Sequence, residues 1–159
     1  MDRLKILITE QETWTLSKGE NDGFPFILRF RPNLKEFSIT KEYCERIILL
    51  WKYNSTDNSL LPTEEEMDLM EEVENSLVEI LENDLQAILS FVYSGQNKKE
   101  WHWYSNDITE TCKRINDALS GFEILPIELL IEHDQEWSEY NAVIDGADDS
   151  DYEEAFAEK

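Results

Sequence analysis

The sequence predicts an α+β fold in which an N-terminal β-hairpin precedes a β-α-β-β-α-β core and an acidic tail follows it. Two segments rich in turn-forming residues, 19–23 and 94–98, each separate a pair of apolar segments, which is typical of a hairpin. Two other segments repeat their apolar residues with the period of an α-helix. The length of 159 residues suits one domain, residues 1–144, followed by a flexible tail at 145–159.

The first hairpin is predicted to join strands at 14–17 and 24–31. In the second of these strands, apolar residues alternate with Arg29 and Arg31, and this period of two places both arginines on one face. The next strand is predicted at 44–53, where a nearly continuous apolar run indicates a central strand that is buried on both faces.

A long helix is predicted to begin after Thr63. The Thr63 hydroxyl can cap the helix, Glu66 can close a capping box, and the helix is expected to end near Asn83. At about 100° per residue, its side chains divide into an apolar stripe and an opposite acidic face. The stripe comprises Leu69, Met70, Val73, Leu77, Ile80 and Leu81, and the acidic face comprises Asp68, Glu71, Glu72, Glu79 and Glu82.

A second hairpin, a second helix and a final strand complete the predicted core. The hairpin strands are expected at 86–93 and 100–104, and the final strand at 127–132. The helix between them is capped by Asn106 or Asp107. Its buried stripe comprises Ile108, Cys112, Ile115 and Leu119. This order is that of the ferredoxin-like βαββαβ core, in which two helices would cover one sheet face and the other would stay open for binding or pair with a second copy.

Positive charge is missing from two long stretches, 53–97 and 115–158, which contain no Lys or Arg. The chain has 14 Lys and Arg against 36 Asp and Glu, for a formal net charge of -22. Such a field repels nucleic acid and anionic lipid, and it attracts basic surfaces over a distance. The composition therefore favours a protein that binds a positively charged partner and argues against nucleic acid or a membrane as the partner.

Motifs for catalysis or metal binding are missing from the sequence. A zinc site needs three or four converging ligands, and the candidates are far apart in the sequence: Cys44, His102, Cys112 and His133. Residues 145–151 loosely resemble a calcium loop, but the glycine is misplaced, so we interpret them as a solvated tail. No nucleophile elbow, phosphate-binding loop or dinucleotide fingerprint occurs. We therefore expect neither enzymatic activity nor a metal or cofactor.

The cellular location is inferred from what the sequence lacks. The N-terminus has no signal-peptide pattern, and no apolar run approaches the roughly 20 residues that a membrane helix needs. The two cysteines are not in a C-x-x-C pattern. A reducing cytoplasm is therefore the expected location.

Short aromatic motifs occur along most of the chain. They are Trp14, Pro25 with Arg29, Trp51-x-Tyr53 with Leu61-Pro62, Gly95 with Lys99-Glu100-Trp101-His102-Trp103-Tyr104, and Asp134-x-x-Trp137-x-x-Tyr140. In these motifs the chain resembles an uncharacterised bacterial family, the domain of unknown function numbered 695, from about residue 14 to residue 140. Lys99 stands where that family usually has Arg. The resemblance implies a fold but no established activity.

A weaker similarity is to the regulator of ribonuclease activity B. That protein looks like a relative by its ferredoxin-like domain, its acidity and its acid-rich C-terminal tail. It binds and inhibits an endoribonuclease, so the similarity implies an inhibitory binding role.

The strand of the second hairpin is one candidate binding element. It contains Trp101, His102, Trp103 and Tyr104. The two tryptophans share one face, and the histidine and tyrosine share the other. One pair is expected to pack under the helices, and the other to lie on the open face near Arg29 and Arg31. Ordinary packing with cation–π support explains such a cluster, although exposed Trp and Tyr are also typical interface anchors.

The acidic face of the long helix is the other candidate. Acidic residues opposite an apolar stripe are commonly just the solvated side of a helix. An ordinary exposed helix, however, mixes the signs of its charges and gains i,i+4 pairs of about 0.2–0.5 kcal/mol each. A face of one sign gives up that stability and gains long-range attraction for a basic partner.

We therefore predict an acidic binding protein that is located in the cytoplasm and is a monomer or a homodimer. It is expected to cover a basic surface on a partner such as a nuclease or toxin, as an immunity protein or a ribonuclease regulator does. The predicted partner-binding residues are Asp68, Glu71, Glu72, Glu79, Glu82, Trp101, His102, Trp103, Tyr104 and Trp137. The alternative is a small-molecule-binding or enzymatic domain that uses the open sheet face. Its predicted ligand-binding residues are Arg29, Arg31, His102 and Tyr104. A concave pocket with converging polar groups would favour the alternative.

Overall fold

The computed structural model describes residues 3–55, 58–149 and 156–158 of the chain. Within these ranges there are five helices and seven strands, the last of them only three residues long. In chain order they are α1 Arg3–Thr9, β1 Trp14–Asn21, β2 Phe24–Phe30, α2 Lys35–Ile39, β3 Glu45–Lys52, α3 Glu64–Glu82, β4 Ala87–Gly95, β5 Lys98–Ser105, α4 Ile108–Leu119, β6 Ile127–His133, α5 Ser138–Asp149 and β7 Phe156–Glu158.

The strands form one antiparallel sheet in the order β6-β3-β5-β4-β2-β1, and the short β7 pairs with the outer side of β1. The predicted α+β class is confirmed, and both predicted hairpins are present as β1-β2 and β4-β5. The predicted buried strand, β3, lies between β5 and β6, and Ile47 and Leu49 on it are fully buried. The N-terminal hairpin extends the sheet because β2 pairs with β4.

Helix α3 begins and ends where the sequence predicts. The Thr63 hydroxyl accepts a hydrogen bond from the backbone N–H of Glu66 at 3.1 Å, and the Glu66 carboxylate accepts one from the backbone N–H of Thr63 at 2.8 Å. This capping box satisfies two N–H groups that the first turn leaves without an intrahelical partner. The apolar stripe of the helix buries Met70, Val73, Leu77 and Leu81.

Helix α4 packs beside α3 on the same face of the sheet. Its cap is Asp107, whose carboxylate accepts a hydrogen bond from the backbone N–H of Thr109 at 3.0 Å. Ile115 on its stripe is fully buried, while Ile108, Cys112 and Leu119 are partly buried against the same core. The two helices cover a cluster formed by β3, β4 and β5 that includes Ile47, Leu49, Trp51, Leu89, Val92, Trp101 and Trp103.

The opposite face of the sheet is covered as well where β2, β4 and β5 lie. The prediction that this face stays open is therefore wrong there. Residues of α1, α2, the loops beside α2 and the segment entering α5 form a second apolar core there with β2, β4 and β5. That core comprises Leu7, Ile8, Phe30, Leu34, Phe37, Tyr43, Leu85, Ile88, Phe91, Tyr104, Trp137 and Tyr140. The covering helices α1 and α2 are short, and α2 has no side-chain cap, so neither gives a strong local signal in the sequence.

The predicted tail at 145–159 falls partly outside the described residues. Helix α5 continues to Asp149, and Phe156–Glu158 lies along β1. Residues 150–155 and 159 are not described, so the predicted domain boundary stays a prediction. None of the described helices combines the length and the apolar character that crossing a bilayer requires.

Candidate functional site

Two arginines of the N-terminal hairpin reach across the sheet to α3. Arg31 is only 1% exposed, and its guanidinium donates to both carboxylate oxygens of Glu82, at 2.8 and 3.2 Å. The same carboxylate accepts a hydrogen bond from the backbone N–H of Leu89 at 2.8 Å. The prediction that Glu82 belongs to the exposed acidic face is therefore wrong, because this residue turns inward to neutralise a buried cation.

The second arginine makes a similar pair about two turns of helix nearer the N-terminus of α3. Arg29 donates to the Glu74 carboxylate at 2.6 Å, and the indole N–H of Trp101 donates to the same oxygen at 3.0 Å. Burial would raise the pKa of Glu74, but the positive charge of Arg29 and these hydrogen bonds outweigh burial and lower it. The ring of Trp14 lies 4.6 Å from the Arg29 guanidinium and 4.7 Å from that of Arg31. Both arginines are therefore occupied within the fold.

Lys99 lies near the Arg29–Glu74 pair. Its ammonium is 5.4 Å from the centre of the Trp101 ring. Burial lowers the pKa of Lys99 to about 8, although the nearby Glu74 opposes this shift. Arg29, Glu74 and Lys99 therefore form a compact cluster of opposite charges between α3 and the sheet.

The opposite face of the sheet contains a chain of polar contacts centred on Arg46. The Arg46 guanidinium contacts Nδ1 of His102 at 2.8 Å, and it also pairs with Glu132 and lies 3.6 Å from Asp134. The other ring nitrogen of His102 lies 2.9 Å from the Glu100 carboxylate. Burial lowers the pKa of His102 despite the attraction of Glu100. A neutral imidazole protonated on Nε2 satisfies both contacts, because it accepts from Arg46 and donates to Glu100.

Three aromatic residues of this face are fixed by hydrogen bonds as well as by stacking. The rings of Tyr104 and Trp137 stack with centres 3.9 Å apart. The Tyr104 hydroxyl donates to Asp134 at 2.7 Å, and the indole N–H of Trp137 donates to the Tyr43 carbonyl at 2.9 Å. The Tyr140 hydroxyl donates to the Arg31 carbonyl. Asp134 also accepts from the backbone N–H groups that open α5.

The predicted aromatic anchors are therefore inside the protein. Trp101, Trp103 and Tyr104 have no exposed surface, and Trp137 is 1% exposed and His102 is 5% exposed. Their alternation along β5 is as predicted, with the tryptophans under α3 and α4. The expectation that the other pair lies exposed is wrong, because α1, α2 and α5 cover it.

The alternative ligand-binding set is not assembled in the structure. Arg29 and Arg31 pair with α3 on one face of the sheet, whereas His102 and Tyr104 contact Arg46 and α5 on the other. A cavity of about 260 Å³ opens beside Arg31, but both Glu12 and Glu82 already pair with that guanidinium. Of the four residues of the alternative set, Arg31 lines this cavity and Arg29, His102 and Tyr104 do not.

Four of the five predicted acidic residues do lie exposed on the outer side of α3. These residues, here called the acidic face of α3, are Asp68, Glu71, Glu72 and Glu79. None of them makes an ion pair with the described part of the chain, and α3 itself contains no Lys or Arg. Glu64 and Glu65 extend the same charge toward the start of the helix. The result is an exposed helix surface of one sign.

A metal centre has no support among the described residues. No three His, Cys, Asp or Glu side chains in those ranges are arranged to hold a metal ion. Cys44 and Cys112 are free thiols, each partly buried. Neither histidine is near a cysteine in the contacts described above.

Comparison with protein families gives a match. The model of a family of unknown function, DUF695, matches residues 12–143 and so confirms the resemblance predicted from the aromatic motifs. No curated protein and no solved structure matches the chain. The residues behind the resemblance are mostly buried or partly buried ones described above, including the buried Trp101 and Trp137 and the partly buried Trp14. They secure the fold and do not form an exposed site, so the acidic face of α3 is the candidate functional surface.

Proposed function

The chain belongs to the DUF695 family, a family of unknown function, and we propose that it acts as an acidic binding protein that covers a basic surface on another protein. The observation that carries this proposal is the acidic face of α3, which is exposed, free of ion pairs to the described residues and devoid of cations on its own helix. The inner side of the same helix is fixed by a buried apolar stripe and two arginine pairs, so the charges are presented on a rigid element.

The net charge of -22 makes long-range attraction the main physical consequence of this surface. Each exposed carboxylate alone contributes little to affinity, because it is solvated and screened by salt over about 8 Å at physiological ionic strength. Acting together, like charges raise the rate at which a basic partner is captured. We expect the acidic face of α3 to govern association more than dissociation.

The class of partner follows from the same chemistry. A protein surface that binds phosphates is rich in Lys and Arg, and carboxylates can occupy it in place of phosphates. A nuclease or nuclease-like toxin has such a surface. We therefore propose that the chain inhibits such a partner, in the way that an immunity protein or a ribonuclease regulator does. In this proposal the chain acts in the cytoplasm and has no catalytic activity of its own. The alternative, a small-molecule or enzymatic domain, has less support because its residues do not converge.

A related proposal concerns the core of the fold. The element order β3-α3-β4-β5-α4-β6 supports a ferredoxin-like core. The strand order β6-β3-β5-β4 and the placement of α3 and α4 on one face of the sheet give further support. In this proposal the N-terminal hairpin is an addition beside β4.

The test compares two variants of equal charge. One replaces the acidic face of α3 by Gln or Asn at Asp68, Glu71, Glu72 and Glu79. The control replaces four exposed acidic residues elsewhere, Glu10, Glu20, Glu42 and Asp117. Each protein is used to capture basic proteins from the native cell extract, and association rates of the captured partner are then measured over a range of salt concentrations.

We expect the wild type and the control to capture the same partner, and the acidic-face variant to associate at least about tenfold more slowly with a flatter salt dependence. Circular dichroism must show the same helix content in all three proteins. Equal association rates for the two variants would contradict the proposal, because they would mean that net charge alone, without a defined surface, is responsible.

A further inference from the structure

Strand β6 forms an edge of the sheet that no other described segment covers. It pairs with β3 on one side, and on its other side it has no neighbour among the described residues. Three consecutive apolar residues on it are exposed, Leu129 at 36%, Leu130 at 46% and Ile131 at 46%. Exposed apolar residues on an edge strand are unusual, because such a strand is a template for pairing with another chain.

The two faces of β6 differ in chemistry. Ile127, Leu129 and Ile131 align with Trp51, Leu49 and Ile47 of β3, which lie under α3 and α4. These three residues therefore form an apolar row on the helix-covered side, in which Ile127 is partly buried against the core and Leu129 and Ile131 are exposed. On the other side Glu128 and Glu132 flank Leu130, and the side chains of both acids are more than half exposed although they pair with Lys52 and Arg46.

The edge lacks most of the features that normally prevent pairing. Natural edge strands are protected by charged side chains, especially Lys, by Pro residues, by bulges or by a covering element, and of these β6 has only the two acids Glu128 and Glu132. β6 contains neither Lys nor Pro, and its pairing with β3 is regular over seven residues. Alternate backbone N–H and C=O groups along it consequently point outward, ready to bond to an added strand.

We propose that β6 binds an extended segment of the partner as an added β-strand, and that this segment alternates apolar and basic residues. The inference rests on the proposed function, since it identifies the part of a basic partner that this protein captures. Backbone hydrogen bonds along β6 would give affinity, and the two faces would select the side chains. Apolar residues of the segment would lie beside the row of Ile127, Leu129 and Ile131, and basic residues beside Glu128 and Glu132.

A cavity next to the apolar row supports the same pattern. It has a volume of about 320 Å³ and lies between the end of α4 and the start of β6, where Leu119, Phe122, Leu125 and Ile127 line it. The fully exposed Ile124 is at its rim. An apolar side chain at one end of the added segment would enter this cavity.

A second copy of this chain fits β6 less well. Antiparallel self-pairing centred on Leu130 places Glu128 of each copy directly opposite Glu132 of the other, and like charges directly opposite are destabilising. Each chain also carries a formal charge of -22, which opposes self-association. A basic segment of another protein places positive charge opposite Glu128 and Glu132 and is attracted by the net charge of the chain.

The experiment uses a short fluorescent peptide that alternates Val and Lys, added to the full chain. Two control peptides have the same composition: one with all Val residues before all Lys residues, and one that alternates but is N-methylated along one edge. Fluorescence anisotropy gives affinities, and hydrogen exchange reports which amides are protected. We expect the alternating peptide to bind at least about tenfold more tightly than either control and to protect residues 127–133.

A pair of variants locates the contact. Leu129→Lys with Ile131→Lys adds positive charge to β6, and Ile39→Lys with Gln11→Lys adds the same charge at exposed residues away from both β6 and α3. Only the first should lose about tenfold in affinity. Equal binding of the three peptides, protection outside β6, or a concentration-dependent dimer that protects 127–133 without peptide would each overturn the inference.

The outcome is separable from that of the proposed function. If the acidic-face variant of α3 loses its partner but binds the alternating peptide at β6, both proposals stand. If peptide binding depends on the α3 face and not on β6, the strand-addition inference fails while the acidic-surface proposal survives. If the partner associates normally with the acidic-face variant but the peptide protects β6, the proposed role of α3 fails alone.

Discussion

The carboxylates of α3 have opposite roles on the two sides of one helix. Glu74 and Glu82 turn toward the sheet and pair with Arg29 and Arg31, and the Arg31–Glu82 pair is almost fully buried. The acidic face of α3 turns to solvent and has no ion pair with the described residues. The side chains are chemically alike, so position relative to the β2 arginines decides whether an acid stabilises the fold or remains available to a partner.

This difference shows that the high acidity of the chain has two separate consequences. A buried carboxylate is tolerated only when its charge is matched and its oxygens are hydrogen-bonded, and losing its partner is costly. A solvated carboxylate costs little and contributes little to stability. Substitutions on the two sides of α3 should therefore change the free energy of unfolding by different amounts and in opposite directions.

The largest effect is expected from removing the buried cation. Arg31→Met leaves the Glu82 carboxylate buried without its ion-pair partner and should lower the free energy of unfolding by about 3–5 kcal/mol. Urea unfolding followed by tryptophan fluorescence measures the change. Adding Glu82→Leu to this variant should recover part of the loss, because it removes the unmatched charge. A loss of less than about 1 kcal/mol in Arg31→Met would mean that Glu82 reaches solvent and that the two sides are not distinct.

A smaller loss is expected at the second inward acid. Glu74→Gln retains the shape of the side chain but removes the negative charge that pairs with Arg29 and makes the bond from the Trp101 indole N–H a neutral one, so we expect a loss of about 1–2 kcal/mol. Glu72→Gln, two residues earlier on the outer side, is the matched control and should change stability by less than about 0.5 kcal/mol. Equal effects of the two substitutions would remove the distinction between the inner and outer sides.

The pH dependence of the same variant sharpens the comparison. The folded state lowers the pKa of Glu74 below its usual value of 4.5. A carboxyl group with a lowered pKa contributes stability above its unfolded pKa and loses that contribution as the pH falls through its folded pKa. The stability difference between wild type and Glu74→Gln should therefore be full near neutral pH and should shrink below about pH 4.5. A difference that stays constant through this range would contradict the ionic origin of the effect.

Local signals in the sequence were sufficient to predict α3 and its capping box, since Thr63 and Glu66 act on their own helix. Local signals also predict that the two tryptophans of β5 share one face of the sheet, and that Arg29 and Arg31 lie on the same face as each other. Glu82 is misplaced by helical periodicity, which puts it opposite the apolar stripe, because it is the last residue of α3 and its side chain turns toward the sheet to pair with Arg31. Its inward position depends on Arg31, which is 51 residues away in the sequence.

The covering of the second sheet face was missed for a related reason. α1 and α2 are seven and five residues long, and such short helices form only when they pack against a core. The aromatic residues of β5 therefore looked available although Trp137 and Tyr140 cover them. The contact between Tyr104 and Asp134 joins residues 30 positions apart, and no period within either segment indicates it.

The smallest expected effect has the opposite sign. Asp68 has like-charged neighbours at i+3 and i+4, Glu71 and Glu72, and each such pair is destabilising by about 0.2–0.5 kcal/mol at low salt. Asp68→Asn should therefore raise the free energy of unfolding slightly, and the gain should disappear at high salt because these solvated charges are screened. Glu79→Gln is the control, since the only acid within one turn of it is Glu82, which is already neutralised by Arg31. Urea unfolding at low and high salt measures both variants. A loss of stability in Asp68→Asn would show that the outer acids also support the fold, and the acidic face of α3 would no longer be a surface reserved for a partner.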